Sequence, residues 1–468
     1  FLFSVYFVSA QCPNNNDWWE TIAAPTVIGS ENSVSTFLWP GEYTRVTNMI
    51  AGNVYKISTC GEDGFDSEIT IYRDNAINAS SGYNDDLQGC NGKSQLHFSP
   101  FTTDDYDILL NEWPCDSNQD IAMYVTITLI ETPAPIITIP VVVHVLYDDE
   151  IENISFFQII SQIDVLNEDF RRFNSEIYDV VPERFIGFSK DSRIEFCLAS
   201  QDPNGNPTNG ITRTQTDVSF QPPPSDLSWM PMYNFSGGHD AWNTQDYLNI
   251  WVCDIDEDGS MGYAAFPGGT EMSDLEPDYP EEDGIVIDYE YFGNIGTGTT
   301  YDSFNQGTTA THEVGHWLNL YHPFTNSCSS PGDYVQDTPY QEAPTPDYYD
   351  VCPENDSPNS CTNFSYSGYG GDMYSNFMDY TGPESCMQMF TYNQYQRMYY
   401  TLYGGYRDAI IYSDGCDAPT NTSVKDGVMI PRKLMKTIDV LGRETNNNEG
   451  FQLHIYDDGS VEKKYVIK

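Results

Sequence analysis

The sequence predicts a multidomain chain: an N-terminal antiparallel β-sandwich, a central α/β domain with a twisted mixed sheet, helices and a loop-rich lower part, and a small C-terminal β module. Three observations carry this reading. Residues 12–131 hold short runs rich in Val, Ile, Thr, Tyr and Phe between Gly, Asn and Asp turns, the pattern of a sandwich. Residues 136–415 alternate strand-like and helix-like patterns, as α/β domains do. From about Lys425 the composition shifts: eight of the 20 Lys and Arg residues face only seven acids there, so the rest of the chain carries the whole negative excess.

In the sandwich, assigned to 11–133, the clearest strands are Val54–Ser58, Ile69–Tyr72 and Met123–Ile130, and Cys12, Cys60, Cys90 and Cys115 are placed to staple it. The stretch Glu131–Pro140 carries three prolines and marks the boundary. Val141–Tyr147 is a continuous apolar run suited to a buried strand, with His144 a satisfied core residue. Ser155 is a candidate cap for a helix whose Phe156, Ile159, Ile160, Ile163, Leu166, Phe170 and Phe173 recur at helical spacing. Further strands are expected at Arg193–Leu198, Leu248–Cys253 and Gly284–Tyr289, in a mixed, largely parallel sheet. The tail, 425–468, alternates about Asn-rich and Asp-Gly turns and suits two or three hairpin strands.

Composition narrows the function. The 468 residues exceed one ordinary core, and 39% hydrophobic with 14% aromatic content supports folded domains. A net charge of −50 repels phosphate backbones, which excludes nucleic acid as a partner. Residues 1–10, FLFSVYFVSA, resemble the end of a secretory signal cut before Gln11; the alternative is a buried strand. No other stretch reaches the roughly 18 apolar residues of a membrane span. Eleven cysteines without any CxxC pair read as disulfides in an exported protein, and the odd count leaves one over, assigned to Cys416.

The chemistry concentrates in Thr311–His322, THEVGHWLNLYH. On a helix, His312 and His316 project from one face a turn apart, which suits two corners of a tetrahedral zinc ion. Glu313 stands beside them, placed to take a proton from a water on the metal without being a ligand. His322 supplies the third nitrogen if the helix ends sharply. That ending normally uses Gly; here it falls on Asn319, the next most tolerant residue of the left-handed region. Three of the chain's seven histidines within eleven positions raise this pattern above a chance HExxH.

With Asn376-Phe377-Met378-Asp379-Tyr380 downstream, HEVGHWLNLYH resembles the metzincin zinc motif and Met-turn. GDYVQDTP (Gly332–Pro339), CMQMFTYNQYQRM (Cys386–Met398) and the upstream IPVVVHVLY, LNIWVC, GYAAFP and DGIVIDYEYFG resemble the pappalysin family of metzincin endopeptidases, over about 136–415. The resemblance implies a secreted, extracellular or cell-surface zinc endopeptidase acting on protein or peptide substrates. It makes Glu313 the general base, Tyr380 the oxyanion donor and Met378 the apolar floor beneath the zinc. It implies that the strand edge at Gly262–Phe266 binds substrate by strand addition, that Asp333 and Thr338 hold calcium, and that Cys328 pairs with Cys361, Cys352 with Cys386 and Cys197 with Cys253. Glu384 would face the side chain after the scissile bond and favour Arg or Lys there. A second calcium candidate, the acidic run Asp254–Gly259, lacks the Glu that an EF-hand needs at its twelfth position and reads as a solvated turn. The tail resembles C-terminal sorting domains of Bacteroidetes-type secreted proteins, which implies secretion machinery as a partner. The rival readings are an inactive metzincin-fold adhesion protein and a zinc exopeptidase, for which no group anchoring a substrate terminus is identified.

Overall fold

The structure is a computed structural model that describes residues 12, 16–29, 34–61, 64–73, 82–84, 90–100, 102–113, 115, 121–133, 135–174, 177–221, 230–255, 260–268, 277, 279–345, 352–353, 359–361, 371–417, 434–438, 450–456 and 461–466. The signal-like residues 1–10 and the acidic residues 256–259 lie outside these. The chain divides into two compact units, Phe1–Pro419 and Thr420–Lys468.

The N-terminal strands are β1 (Asp17–Ala23), β2 (Val34–Leu38), β3 (Glu42–Met49), β4 (Val54–Ser58), β5 (Ser67–Arg73), β6 (Gly82–Asn84), β7 (Gln95–Phe98), β8 (Asp104–Glu112) and β9 (Met123–Glu131). They form two sheets, ordered β1-β3-β8-β5-β6 and β2-β9-β4-β7. Alternate residues of both sheets, among them Tyr55, Ile57, Ile69, Ile71, Ile108, Leu110, Val125 and Ile127, close one shared core. The sandwich is not purely antiparallel, because β1 runs parallel to β3.

The central sheet is ordered β11-β10-β13-β15-β14, with β12 also on β10; the strands are β10 (Ile137–Tyr147), β11 (Ile194–Leu198), β12 (Ile211–Gln215), β13 (Leu248–Cys253), β14 (Gly262–Ala264) and β15 (Ile285–Asp288). All pairs are parallel except β14 with β15. The boundary is shorter than the prolines suggest: β10 already starts at Ile137, and Pro140 sits in register with Cys197. Helix α1 (Phe156–Phe170) is capped by Ser155, whose hydroxyl accepts from Gln158 N. Its apolar stripe stops at Phe170; Phe173 lies beyond the helix end and is exposed. Two buried glutamines of α1 hold the chain that leads to the site: Gln158 Nε2 donates to Phe292 O (2.8 Å) and Gln162 Nε2 to Gly307 O (2.9 Å). His144 is the satisfied core residue expected, bonded to Thr212 Oγ1 (2.8 Å) and Asn249 Oδ1 (3.0 Å).

After two short helices, α2 (Ile177–Val180) and α3 (Glu183–Ile186), come α4 (Thr308–Trp317), which carries the histidines, and α5 (Tyr392–Tyr403). One core joins the inner face of the central sheet to α1, α4, α5 and the segment around Met378, and it includes Val54 of the sandwich. The sandwich packs directly on this body: Arg172 Nη1 donates to Ser99 O (3.2 Å), Lys190 Nζ to Gly52 O (3.2 Å), and the His97 ring meets Tyr392 at 5.3 Å. In the second unit, β16 (Leu434–Ile438), β17 (Gly450–Tyr456) and β18 (Val461–Val466) form an antiparallel meander.

Candidate metal centre

Helix α4 is buried on every side. It ends because Asn319 takes a left-handed conformation (φ 73°) after Leu318, and Leu320 N then bonds back to Gly315 O at 2.9 Å. The expected turn therefore forms on Asn. Arg397 of α5 donates from Nε to the Asn319 backbone O (2.6 Å), and from Nη2 to Asn319 Oδ1 (3.1 Å), a contact that Gly could not make.

The turn brings three imidazoles together. His322 Nε2 lies 3.1 Å from His312 Nε2 and 2.9 Å from His316 Nε2. The opposite nitrogens of the helical pair are committed to carbonyls, His312 Nδ1 to Phe377 O and His316 Nδ1 to Leu320 O, each at 2.7 Å. Carbonyls only accept, so both Nδ1 atoms carry the proton and both Nε2 atoms present bare lone pairs. Two bare Nε2 lone pairs converging on a third imidazole nitrogen make an electron-rich cluster that a cation would stabilise. Ligands on a tetrahedral zinc at 2.0–2.1 Å stand roughly 3.3 Å apart, so the donor set fits that ion. Burial lowers His312 to about 4 and drives His316 and His322 well below the ordinary histidine value, which keeps all three neutral.

Around this triad, Met378 is fully buried and its sulfur presses on the helix at Gly315, where an added Cβ would fall well inside contact distance. The Tyr380 ring centroid is 4.7 Å from that of His322 and 5.3 Å from that of His312, while 47% of the residue stays exposed. Burial of its hydroxyl, then Glu313 and Asp379, raises Tyr380 to about 12. Burial alone lifts Glu313 to about 8. The Glu313 stem lies against β14, where a Cβ on Gly262 would sit 3.2 Å from Glu313 Cγ.

Residues 234–403 match peptidase family M43, described as pregnancy-associated plasma protein-A. Mature mirolysin of Tannerella forsythia, solved in complex with a cleaved peptide, is 41% identical; the match covers 60% of this chain and 97% of mirolysin, with a TM-score of 0.51. The chain belongs to the M43 family, the pappalysins. "Extracellular metalloprotease 1" of Coccidioides posadasii (strain C735) is 38% identical over 154 residues, 32% of this chain and 48% of that protein. An "Extracellular metalloprotease" of Colletotrichum graminicola (strain M1.001 / M2 / FGSC 10212) is 38% identical over 160 residues, 34% of this chain and 50% of its own length. This pappalysin thus spans about half the length of these curated relatives.

Other site residues fall in places the sequence did not disclose. Glu384 is 2% exposed and caps α4 from outside: its Oε1 accepts from Thr309 N and Thr309 Oγ1, and its Oε2 from Gln306 N, all at 2.8 Å. The helix needs this, since its own N-cap, Gly307, has no side chain. Asp333 and Thr338 meet, the Thr338 hydroxyl lying 2.7 Å from both Asp333 oxygens. The pairs Cys328–Cys361 and Cys352–Cys386 form. Cys197 does not pair with Cys253; it bonds Cys416, so Cys416 is not the unpaired cysteine. The reason lies in the sheet: Cys253 ends a strand buried among Trp251, Phe220 and Val286, whereas Cys416 lies on the segment whose Gly415 O accepts from Ser200 N beside β11.

Two positioning residues escaped the sequence reading altogether. Arg397 is one. Arg407 is the other: its guanidinium lies 4.2 Å from the Trp317 ring centroid, Nε donates to Trp317 O (2.8 Å), Nη2 to Ala265 O (3.2 Å), and Nη1 pairs with Asp283. It ties the end of α4 to the chain leaving β14. The Gly between Val314 and His316 was the one legible hint of the close approach of Met378.

Proposed function

We propose that this pappalysin is a secreted zinc endopeptidase hydrolysing peptide bonds of proteins. The convergence of three imidazole Nε2 atoms, two of them with their protons held on the opposite ring nitrogen, carries the reading. His312, His316 and His322 would hold zinc, which when bound would supply a Lewis acid to polarise a peptide carbonyl and acidify a water. Glu313 accepts the proton of the attacking water and returns it to the leaving amine. The Tyr380 hydroxyl, protonated throughout the neutral range, donates to the oxyanion of the tetrahedral intermediate. β14 ends its sheet next to Glu313, so an extended substrate adds there as a further strand. Extracellular relatives and the disulfides support secretion, with the β16–β18 meander as a sorting module.

The finer parts rest on single residues. Glu384 accepts from the neutral donors Gln306 N, Thr309 N and the Thr309 hydroxyl, and an Arg or Lys after the scissile bond would neutralise this buried carboxylate. Asp333, buried and accepting from Val335 N and the Thr338 hydroxyl, suits calcium together with Thr338.

Glu313→Ala tests the mechanism. Zinc content should match the parent while peptidase rate falls about 10²–10⁴-fold; parental turnover in the metal-loaded variant would sink it. A fold reduced to adhesion would show no turnover in either protein.

A further inference from the structure

Among the described residues one other group of potential ligands stands together, far from the zinc motif in sequence: Cys12, Glu68 and Cys115, whose Sγ, carboxylate and Sγ atoms all lie within 4.8 Å of one another. Cys12 and Glu68 are buried in the sandwich and Cys115 is partly so. Cys12 and Asn16 are both seated on the sandwich: Tyr72 Oη donates to Cys12 O at 2.8 Å, and Asn16 Nδ2 donates to Asn111 Oδ1 at 2.9 Å. Glu68 accepts from Cys115 N (2.5 Å) and from the Cys12 thiol.

We propose that Cys12 and Cys115 form a fifth disulfide, which pins the N-terminal segment to the end of β8. Two chemistries fit two sulfurs at this distance, a disulfide or a thiolate metal site. The first is favoured by the company the pair keeps. The same sandwich already carries Cys60–Cys90, and three more disulfides follow in the central domain, so the chain matures where thiols oxidise. A thiolate site would add two sulfur anions to the carboxylate of Glu68, in a position already stripped of water. The Cys115 thiol, burial and Glu68 together push the Cys12 thiol far up, which opposes the ionised form that a metal requires.

Disulfide exchange begins at one sulfur that an oxidant can reach, and of this pair Cys115 is the partly exposed one. The two thiols lose two protons and two electrons, and the oxidant, a protein or small-molecule disulfide, leaves as a pair of thiols. Of these two contacts Glu68 then keeps the Cys115 amide and gives up the thiol. With five bridges formed, Cys253, buried at the end of β13, is the one cysteine left over.

The experiment is alkylation of the full secreted chain in denaturant without reductant, followed by peptide mapping and metal analysis. One alkylated cysteine, Cys253, and a linked Cys12–Cys115 peptide are expected. Alkylation of Cys12, Cys115 and Cys253 together overturns the proposal, whether or not a second zinc per chain accompanies it. Cys12→Ser, Cys115→Ser and the double variant give an independent reading. Each should lower the melting temperature of the sandwich by the same amount, about 5–10 °C, because each removes the same bond. Additive losses would mean separate packing roles and no bond.

Discussion

Arg397→Ala probes whether the zinc site depends on the turn that ends its helix. The guanidinium donates to Asn319 O at 2.6 Å and Oδ1 at 3.1 Å, and lies 4.7 Å and 5.6 Å from the Tyr321 and Tyr334 ring centroids. Charged hydrogen bonds are worth about 1.5–3 kcal/mol each, and Asn319 is buried, so its acceptors find no water when the arginine goes. Allowing for overlap between the two bonds, the variant should lose about 2–4 kcal/mol of unfolding free energy. Part of that reaches the metal, because the same turn sets Leu320 O, the partner of His316 Nδ1, and the path to His322. Support of this kind typically governs 10–100-fold of metal affinity. Competition against a graded zinc chelator should show a fall of about that size, with turnover at saturating zinc near parental, since Glu313 and Tyr380 are untouched. A control separates clamp from bulk packing. Gly adopts φ 73° freely, so in an Asn319→Gly background the loss of Arg397 should cost about 1 kcal/mol less. Unchanged zinc affinity, or equal cost in both backgrounds, would refute the reasoning.

Three further outcomes follow from the same structure. Gly315→Ala forces a methyl into the Met378 sulfur and should cost about 1–3 kcal/mol in calorimetric unfolding, although alanine is the better helix former. Lys190 is lowered to about 8, chiefly by burial, with Glu131 and Asp191 opposing; its folded value lies below the unfolded one, so the unfolded chain holds the extra proton between about pH 8 and 10. Stability of the parent relative to Lys190→Met should therefore rise by about 1–3 kcal/mol from pH 7 to 10, as read by urea denaturation, and a fall would reverse the sign assigned to its burial. Cys416→Ser opens a bridge spanning 219 residues and should cost about 2–5 kcal/mol, more than Cys253→Ser; the opposite order in thermal melts would restore the pairing of Cys197 with Cys253.

What the sequence disclosed was local. The spacing of His312, His316 and His322 placed three nitrogens about one point, because helical pitch and one sharp turn are short-range properties. The runs at Val54–Ser58 and Leu248–Cys253 match strands residue for residue, since continuous apolar β-branched segments have few other ways to be buried. Asn319 was legible as a feasible turn residue. Why it is Asn was not, because the reason is an arginine 78 residues away. That Glu384 caps α4 was not legible, because its donors Thr309 and Gln306 lie 75 and 78 positions earlier, at a helix start that lacks a cap of its own. Cys197 had several possible mates, and sheet order chose Cys416. Each of these is a contact between segments remote along the chain, where propensity is silent and only packing selects which groups meet. The tertiary structure thus decided what holds the zinc motif in place, while the motif itself could be read from eleven consecutive residues.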